Sequence, residues 1–379
     1  MLAWLWERLQ RQAREAEKQM PKHAVTLTDV AQLAGVSRSA VSRAFTPGAS
    51  VAESTRHRVL EAAAKLGYRP NAIARTLATR RSRTIAIVVS YLRNQFYPLF
   101  VEQSSQLLKK YGYHVLLFVS DGHETAKPEV DELVMEMMQH QVDGIILASV
   151  TLSSALAKSC QMAGVPVVMF NRVAPVPGVH TVASDNVAGG RLAARALIEG
   201  GFERIAYIAG LEDSSTNRDR EQGFRDELRK HGRRVFARAV GHYNFEQAAQ
   251  AARELFVGTD VPDALFVAND HMAFAVLDTL RNELGLRVPD DVAVIGFDNV
   301  PQAAWGGYRL TTVEQDLELM TEAAVSILIN QLSNGDDTVR QVITPVRLIT
   351  RETTPKPGTV RQRVRSSGAR GHTRDKARP

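Results

Sequence analysis

Between residues 26 and 66 the apolar positions recur at helical spacing in three short blocks. Val30, Leu33 and Ala34 form one stripe at i, i+3 and i+4. Thr26 stands where it caps that helix, Asp29 three residues on completes a capping box, and Gly35 takes the positive φ that ends it. Val36 is placed to plug the gap before a second helix. Ser37 caps this one, and Val41, Ala44 and Phe45 face inward. Arg38, Ser39, Ser42 and Arg43 are left on the outer face. A third helix spans Glu53–Leu66, with Val59, Ala62, Ala63 and Leu66 as its inner stripe and Gly67 as its stop. Two arginines and two hydroxyls on the exposed face of a second helix suit base edges and phosphates. An ordinary antiparallel helix pair is the rival reading of this stretch.

From Thr84 the period changes. Strand-like apolar runs at Ile85–Ser90, Val115–Ser120, Gly144–Ser149, Val165–Phe170, Arg204–Gly210, Ala264–Asn269 and Val292–Asp298 alternate with amphipathic helices. The helices fall near Leu99–Tyr111, Glu129–His140, Ser153–Ala163, Ala188–Glu199, Arg220–His231, Glu246–Phe256 and Met272–Leu284. Such alternation predicts an α/β fold of parallel sheets covered on both faces. About 270 residues are many for one sheet core, so two lobes are expected. Asn71–Ala78 is alanine-rich but too short to hold a helix alone in water. Residues 355–379, rich in Arg, Pro, Gly and Ser, read as disordered.

The net charge of +6 hides an asymmetry: residues 21–83 hold 11 Lys/Arg against 3 Asp/Glu, while residues 84–354 hold 24 against 34. A basic head on an acidic body implies an anionic partner bound at one end. Cys160 is the single cysteine of the 379 residues and has no internal disulfide partner, so a packed structural thiol is expected. No apolar run reaches the roughly 18 residues of a membrane span, and the N-terminus lacks the pattern of a signal peptide. A cytoplasmic protein with no membrane partner is expected.

The stretch Thr26–Thr46, continued by Val51-Ala-Glu-Ser-Thr-Arg56 and Leu66-Gly-Tyr-Arg-Pro-Asn71, resembles the DNA-binding headpiece of the lactose-repressor (LacI) family. The resemblance runs on in recognisable blocks to about Thr354. It implies an N-terminal all-α helix-turn-helix headpiece on a two-lobed, periplasmic-binding-protein-like core whose lobes are joined by three crossovers, placed near Ala183–Asp185, Thr312–Gln315 and Ile343–Pro345. The domains it implies are an extension (1–20), the headpiece (21–70), a hinge helix and linker (71–83), the effector-binding and dimerisation core (84–354) and the basic tail (355–379). Met20 lies where such headpieces begin, so a chain starting there is expected to bind DNA as well as the full chain.

The resemblance also implies roles. Thr26, Ser37, Ser42, Thr46, Ser50 and Thr55 belong to the DNA-binding set, with Ser37, Thr46, Ser50 and Thr55 on phosphates. Arg38 and Ser39 stand where operators are discriminated, and Arg43 where a guanine is read. Asn71, Ala74 and Leu77 come from the hinge, Leu77 as a minor-groove wedge. Arg220, Asn269 and Asp298 are expected effector contacts in the second lobe, with Asn171 and Gln315 near a strand end and a crossover. Asn94, Phe96 and Tyr97 follow the first core strand and close over the ligand. Carboxylate, amide and guanidinium groups at strand ends suit a polyol, so a sugar or sugar acid is the expected effector, with a purine-like molecule second. The expected protein is a homodimeric regulator, mostly a repressor, binding a pseudo-palindromic double-stranded operator and carrying no cofactor and no metal.

Two other classes share this core. A solute receptor lacks a reason for the headpiece. An enzyme needs a nucleophile or acid–base pair, and none is assignable: the histidines show no HExxH spacing and no GxGxxG or Walker loop is present. Gly189-Gly190 and Gly200-Gly201 read as packing and turn glycines. DNA binding separates a regulator from both.

Overall fold

The structure is a computed structural model that describes residues 25–46, 48–69, 81–119, 127–150, 153–173, 178–336 and 338–355. The extension 1–20, the hinge residues Asn71, Ala74 and Leu77, and the tail from 356 onward lie outside the described residues. The chain divides into two compact units, Met1–Ser82 and Arg83–Pro379.

The described residues of the first unit form three helices: α1 (Leu27–Ala34), α2 (Arg38–Ala44) and α3 (Glu53–Leu66). Their starts and stops follow the sequence signals. Thr26 and Asp29 form a reciprocal capping box, Gly35 ends α1 at φ 62°, and the Ser37 side chain accepts from the Ala40 amide at 3.2 Å. The core is Val30, Ala31, Ala34, Val41, Ala44, Val59, Ala62 and Ala63, with Val36, Phe45 and Leu66 packed beside it. One expectation is corrected. Leu33 is 52% exposed, and Ala31 takes its place inside. The buried stripe of α1 runs through 30, 31 and 34, because α3 meets that side of the eight-residue helix.

The second unit contains two six-stranded sheets. The first lobe orders its strands β11 (Gln341–Thr344), β5 (His180–Ser184), β4 (Val167–Phe170), β3 (Gly144–Ala148), β1 (Thr84–Val89) and β2 (His114–Val119), all parallel. The second orders β12 (Val346–Ile349), β10 (Thr311–Gln315), β9 (Ala293–Asp298), β8 (Ala264–Val267), β6 (Ile205–Ala209) and β7 (Arg238–Val240), with only β12 antiparallel. Strand β1 shows why both faces are covered. Ile85, Ile87 and Val89 enter one core and Ala86 and Val88 another, and all five are fully buried.

The helices are α4 (Phe96–Lys110), α5 (Lys127–Gln139), α6 (Ser154–Met162), α7 (Asn186–Glu199), α8 (Ser215–Lys230), α9 (Phe245–Leu255), α10 (Asp270–Asp278) and α11 (Leu317–Asn334). The chain changes lobe three times. It leaves β5 for α7, leaves β10 for α11, which packs on α4, β4 and β5, and leaves β11 for β12. These changes fall at residues 184–186, 315–317 and 344–346, where the crossovers were expected. Sequence periodicity did not reveal β5, β7, β10, β11, β12 or α11. The expected Met272–Leu284 helix widens at its end into a π-helical turn, Thr279–Glu283. Cys160 is fully buried in the cluster with Leu147, Leu156 and Met169, a packed thiol.

Candidate functional site

On the headpiece, α2 presents Arg38, Ser39, Ser42 and Arg43 on its exposed face. Ser37 and Ser39 share a hydroxyl–hydroxyl bond of 2.9 Å, and the Thr46 hydroxyl donates to the Ser42 carbonyl at 2.9 Å. Ser50 is exposed and Thr55 half-buried. Arg56 stiffens this surface from behind: its guanidinium donates to the Ala44 carbonyl at 2.5 Å and the Ala49 carbonyl at 3.2 Å. It ties the end of α2 and the following loop to α3. The result is a short rigid helix with two cationic and several hydroxyl side chains facing water, which is what a duplex groove accepts.

The second site lies between the two sheets of the core, at the carboxyl ends of their strands. Asp298 ends β9, Asn269 follows β8, Asn171 follows β4, and Asn94 sits in the turn after β1. With Tyr97, Arg220 and the residues named below, these line one pocket. The polar side chains are almost fully removed from solvent: Asn94, Asn171, Arg220, Asn269 and Asp298 are each 5% exposed or less.

Arg220 projects from α8 into this space. Its Nε donates to Asn186 Oδ1 at 2.8 Å and its Nη1 to the Ala268 carbonyl at 2.5 Å; Nη2 lies 3.8 Å from Asp298 Oδ1. The guanidinium stacks over the Phe297 ring at 3.6 Å. Burial pushes the Asp298 carboxyl up to about 7, against the pull of the Arg220 charge and the Gln315 hydrogen bond. Asp270 behind it is also raised by burial, while it accepts from Thr312 Oγ1 at 2.5 Å and the Val300 amide at 3.1 Å.

The first-lobe wall is aromatic and amide. Tyr97 and Ser149 share a short hydroxyl bond, Asn171 Nδ2 donates to Tyr97 Oη at 3.4 Å, and Asn171 Oδ1 is buried without a partner among the described residues. Tyr91 reaches across the cleft and donates to the Tyr243 carbonyl at 3.4 Å. The Val173 amide crosses likewise to Ser215 Oγ at 3.0 Å. The free space enclosed is about 30 Å³, room for about one water molecule. A ligand of more than a few atoms fits this space only with the lobes further apart.

Backbone strain gathers here. Ser149, Asn171, His242, Tyr243 and Asp298 all have positive φ and all line the pocket. Left-handed conformations in non-glycine residues cost about 1–3 kcal/mol each and persist where side-chain direction matters.

Two residues expected in the site stand elsewhere. Phe96 packs in the first-lobe core, 6.3 Å from the Phe170 ring and edge-on to Tyr97. It shapes the wall from behind. Gln315 does not line the pocket; it donates to Asp298 Oδ1 at 2.7 Å and holds that carboxylate from the rear. Asn269 lines the pocket and also caps α10, accepting from the Met272 amide at 3.0 Å. Sequence reasoning missed Ser90, Tyr91, Ser149, Arg172, Leu211, Thr216, His242 and Tyr243. Most follow the carboxyl end of a strand, the position that singled out Asp298. His242 and Tyr243 were hidden because β7, which delivers them, has only three residues.

The Gly189-Gly190 pair lies within α7 and does pack. A Cβ on Gly190 would sit 2.1 Å from the Arg220 carbonyl oxygen, and one on Gly223 would sit 2.0 Å from that of Val187. Paired glycines let α7 and α8 cross in backbone contact, and this crossing sets where Arg220 stands.

Two family models match the chain. One, described as bacterial regulatory proteins of the lacI family, covers residues 26–71. The other, a periplasmic binding protein-like domain, covers residues 194–354. The HTH-type transcriptional regulator CelR of Thermobifida fusca is 37% identical over 333 residues, 86% of this chain and 95% of CelR. The ribose operon repressor of Bacillus subtilis is 33% identical over 332 residues, 87% of this chain and 99% of its own. Among solved structures, the lac repressor dimer bound to operator and the anti-inducer ONPF aligns with a TM-score of 0.78 at 29% identity, over 88% of this chain and 99% of that one. A CelR–cellobiose complex aligns with a TM-score of 0.64 at 34% identity, over 87% and 99%.

Proposed function

Because the chain belongs to the lacI family of bacterial regulatory proteins, we propose that it is a DNA-binding transcriptional repressor whose operator affinity is set by a sugar or sugar acid held between the lobes of its core. One observation carries this reading. The chain pairs an exposed Arg/Ser helix face with a buried set of carboxylate, amide, guanidinium and tyrosine groups converging at strand ends. The first suits DNA and the second suits adjacent hydroxyls.

In the headpiece, Arg43 reads a guanine through O6 and N7, Arg38 and Ser39 set the neighbouring preference, and the hydroxyls of Ser37, Thr46, Ser50 and Thr55 hold phosphates. In the cleft, Asp298 accepts from sugar hydroxyls, Arg220 and Asn269 donate, Asn171 offers its unpartnered oxygen, and Tyr91 and Tyr243 cover the ring faces. The protein acts as a homodimer on a pseudo-palindrome in the cytoplasm, where operator DNA is. It uses no catalytic step. Sugar binding stabilises one separation of the lobes, and that geometry favours or disfavours two headpieces on one operator.

The test starts with the full chain selecting its duplex from a randomised DNA library. Anisotropy titration of that duplex is then repeated with cellobiose, ribose, glucose and gluconate at saturating concentrations. A specific duplex whose affinity changes with one of these supports the reading. Turnover of a bound sugar would revive the enzyme alternative.

A further inference from the structure

The support behind the ligand-site ion pair closes into a ring. Gln315 Nε2 donates to Asp298 Oδ1 at 2.7 Å, and Ser184 Oγ donates to Gln315 Oε1 at 2.6 Å. On the other side, Arg220 Nε donates to Asn186 Oδ1 at 2.8 Å, and Asn186 Nδ2 donates to the Ser184 carbonyl at 3.0 Å. Arg220 and Asp298 meet at 3.8 Å and complete it. All five residues are 5% exposed or less.

Place in the fold gives the ring its meaning. Ser184 is the last residue of β5 and Asn186 the first of α7, so they flank the first crossover. Gln315 is the last residue of β10, at the second. Hinge motions concentrate their backbone rotation in a few residues at element ends, and these are such residues. Arg220 and Asp298, which both face the pocket, are therefore each held by an amide at a different crossover. Ser184 joins the two amides. Its hydroxyl lies 2.6 Å from Gln315 and 3.2 Å from Met320 Sδ, and its carbonyl holds Asn186. Ser184 does not line the pocket.

We propose that Ser184 is a positioning residue for the effector response: it couples the two lobe crossovers to the Arg220–Asp298 pair, so that sugar contact with the pair rotates the lobes together. This rests on the sugar-responsive reading above. A sugar hydroxyl that takes up an Asp298 oxygen competes with Gln315 for it. Inside a buried network the change is passed on, because hydrogen bonds in low dielectric are strong and an orphaned acceptor such as Gln315 Oε1 is costly. With Ser184 present, Gln315 and Asn186 shift as one. Without its hydroxyl, each crossover settles separately.

The experiment uses the full chain and measures operator affinity with and without cellobiose, ribose, glucose and gluconate, together with calorimetric affinity for each. Ser184→Ala removes only the hydroxyl. Thr344→Val is the control, because Thr344 ends β11 at the third crossover and its buried hydroxyl has no partner among the described residues. Ser184→Ala is expected to keep sugar affinity within about threefold and to cut the sugar-induced change in operator affinity about fivefold or more, within the usual span of allosteric couplings. Thr344→Val is expected to keep the full change. A Ser184→Ala protein that melts lower but retains the whole response would overturn the proposal, leaving the ring as packing alone. So would an equal loss in both variants, since any disturbance of a crossover would then suffice. If no sugar alters operator affinity in the unsubstituted chain, the sugar reading itself falls and the role of Ser184 falls with it.

Discussion

On α2 of the headpiece, Arg38, Ser39, Ser42 and Arg43 stand in water, and neither guanidinium has a hydrogen bond or ion pair among the described residues. In the cleft, Arg220 and Asp298 are 2% and 5% exposed and are held by Asn186, Ala268, Phe297 and Gln315. On the proposed reading it is DNA that satisfies the two headpiece guanidiniums. The cleft satisfies its groups internally and asks a ligand to replace some of those bonds. An exposed group can be changed at little cost to folding. A buried, bonded one carries stability and recognition together, so the two sites answer substitution differently.

The largest effect is expected at Arg220→Ala. Removing one partner of a buried pair costs about 3–5 kcal/mol and leaves Asp298 uncompensated. Sugar affinity is expected to fall about a hundredfold or more. Calorimetry and thermal melting together check this, and a variant with native Tm and native sugar affinity would contradict the cleft assignment. Gly190→Ala comes next. Its new Cβ meets backbone that cannot move aside alone, so α7 and α8 separate. A loss of about 1–3 kcal/mol or more is expected, with weaker sugar binding because Arg220 shifts with α8. Intact stability would show that the helix crossing is looser than the glycines suggest.

Arg43→Ala sharpens the other half of the comparison. It is expected to cost about 1–3 kcal/mol of operator affinity, to relax preference at one base pair, and to leave Tm unchanged. An unchanged ratio of specific to scrambled DNA would make Arg43 a phosphate contact.

The smallest effect is a pH dependence found only in the cleft. Asp298 accepts from a sugar hydroxyl at full strength when ionised. Its carboxyl, raised by burial to about 7, gains a proton as pH falls through that value. Affinity for a neutral sugar is therefore complete at pH 8 and lost as pH drops, by up to about tenfold per pH unit below the midpoint. Asp298→Asn removes this dependence. A flat wild-type profile between pH 8 and pH 6 would show that Asp298 stays ionised in the open cleft.

The same contrast decides how much was legible in the sequence. The headpiece is contiguous: Thr26 with Asp29, Gly35 and Ser37 mark helix ends locally, so three helices and an exposed face follow from 41 residues of pattern. Only Leu33 misled, because helical spacing gives a stripe without saying which edge of it the next helix covers. The cleft gathers residues from Asn94 to Asp298. Asp298, Asn269 and Asn171 were named from the family resemblance, and each also follows an apolar run legible as a strand, the end of the sheet where the pocket lies. Tyr243 was not, because the three residues of β7 carry no period. Gln315 was found for the wrong place: its strand, β10, reads Thr-Thr-Val-Glu-Gln, and only the paired sheet reveals that its amide lies behind Asp298. Depth within a site is set by tertiary packing, which a linear pattern does not encode.

On the proposed reading the buried cleft governs the exposed helix face. That coupling is tested most directly by the operator dissociation constant of the full chain with and without the saccharide that calorimetry shows to bind, measured in parallel for Asp298→Ala. A change of about 5–150-fold is expected in the unsubstituted chain and none in the variant, whose sugar-free operator affinity stays native. An operator affinity that is unmoved at saturating sugar, or a variant that still responds, would contradict it.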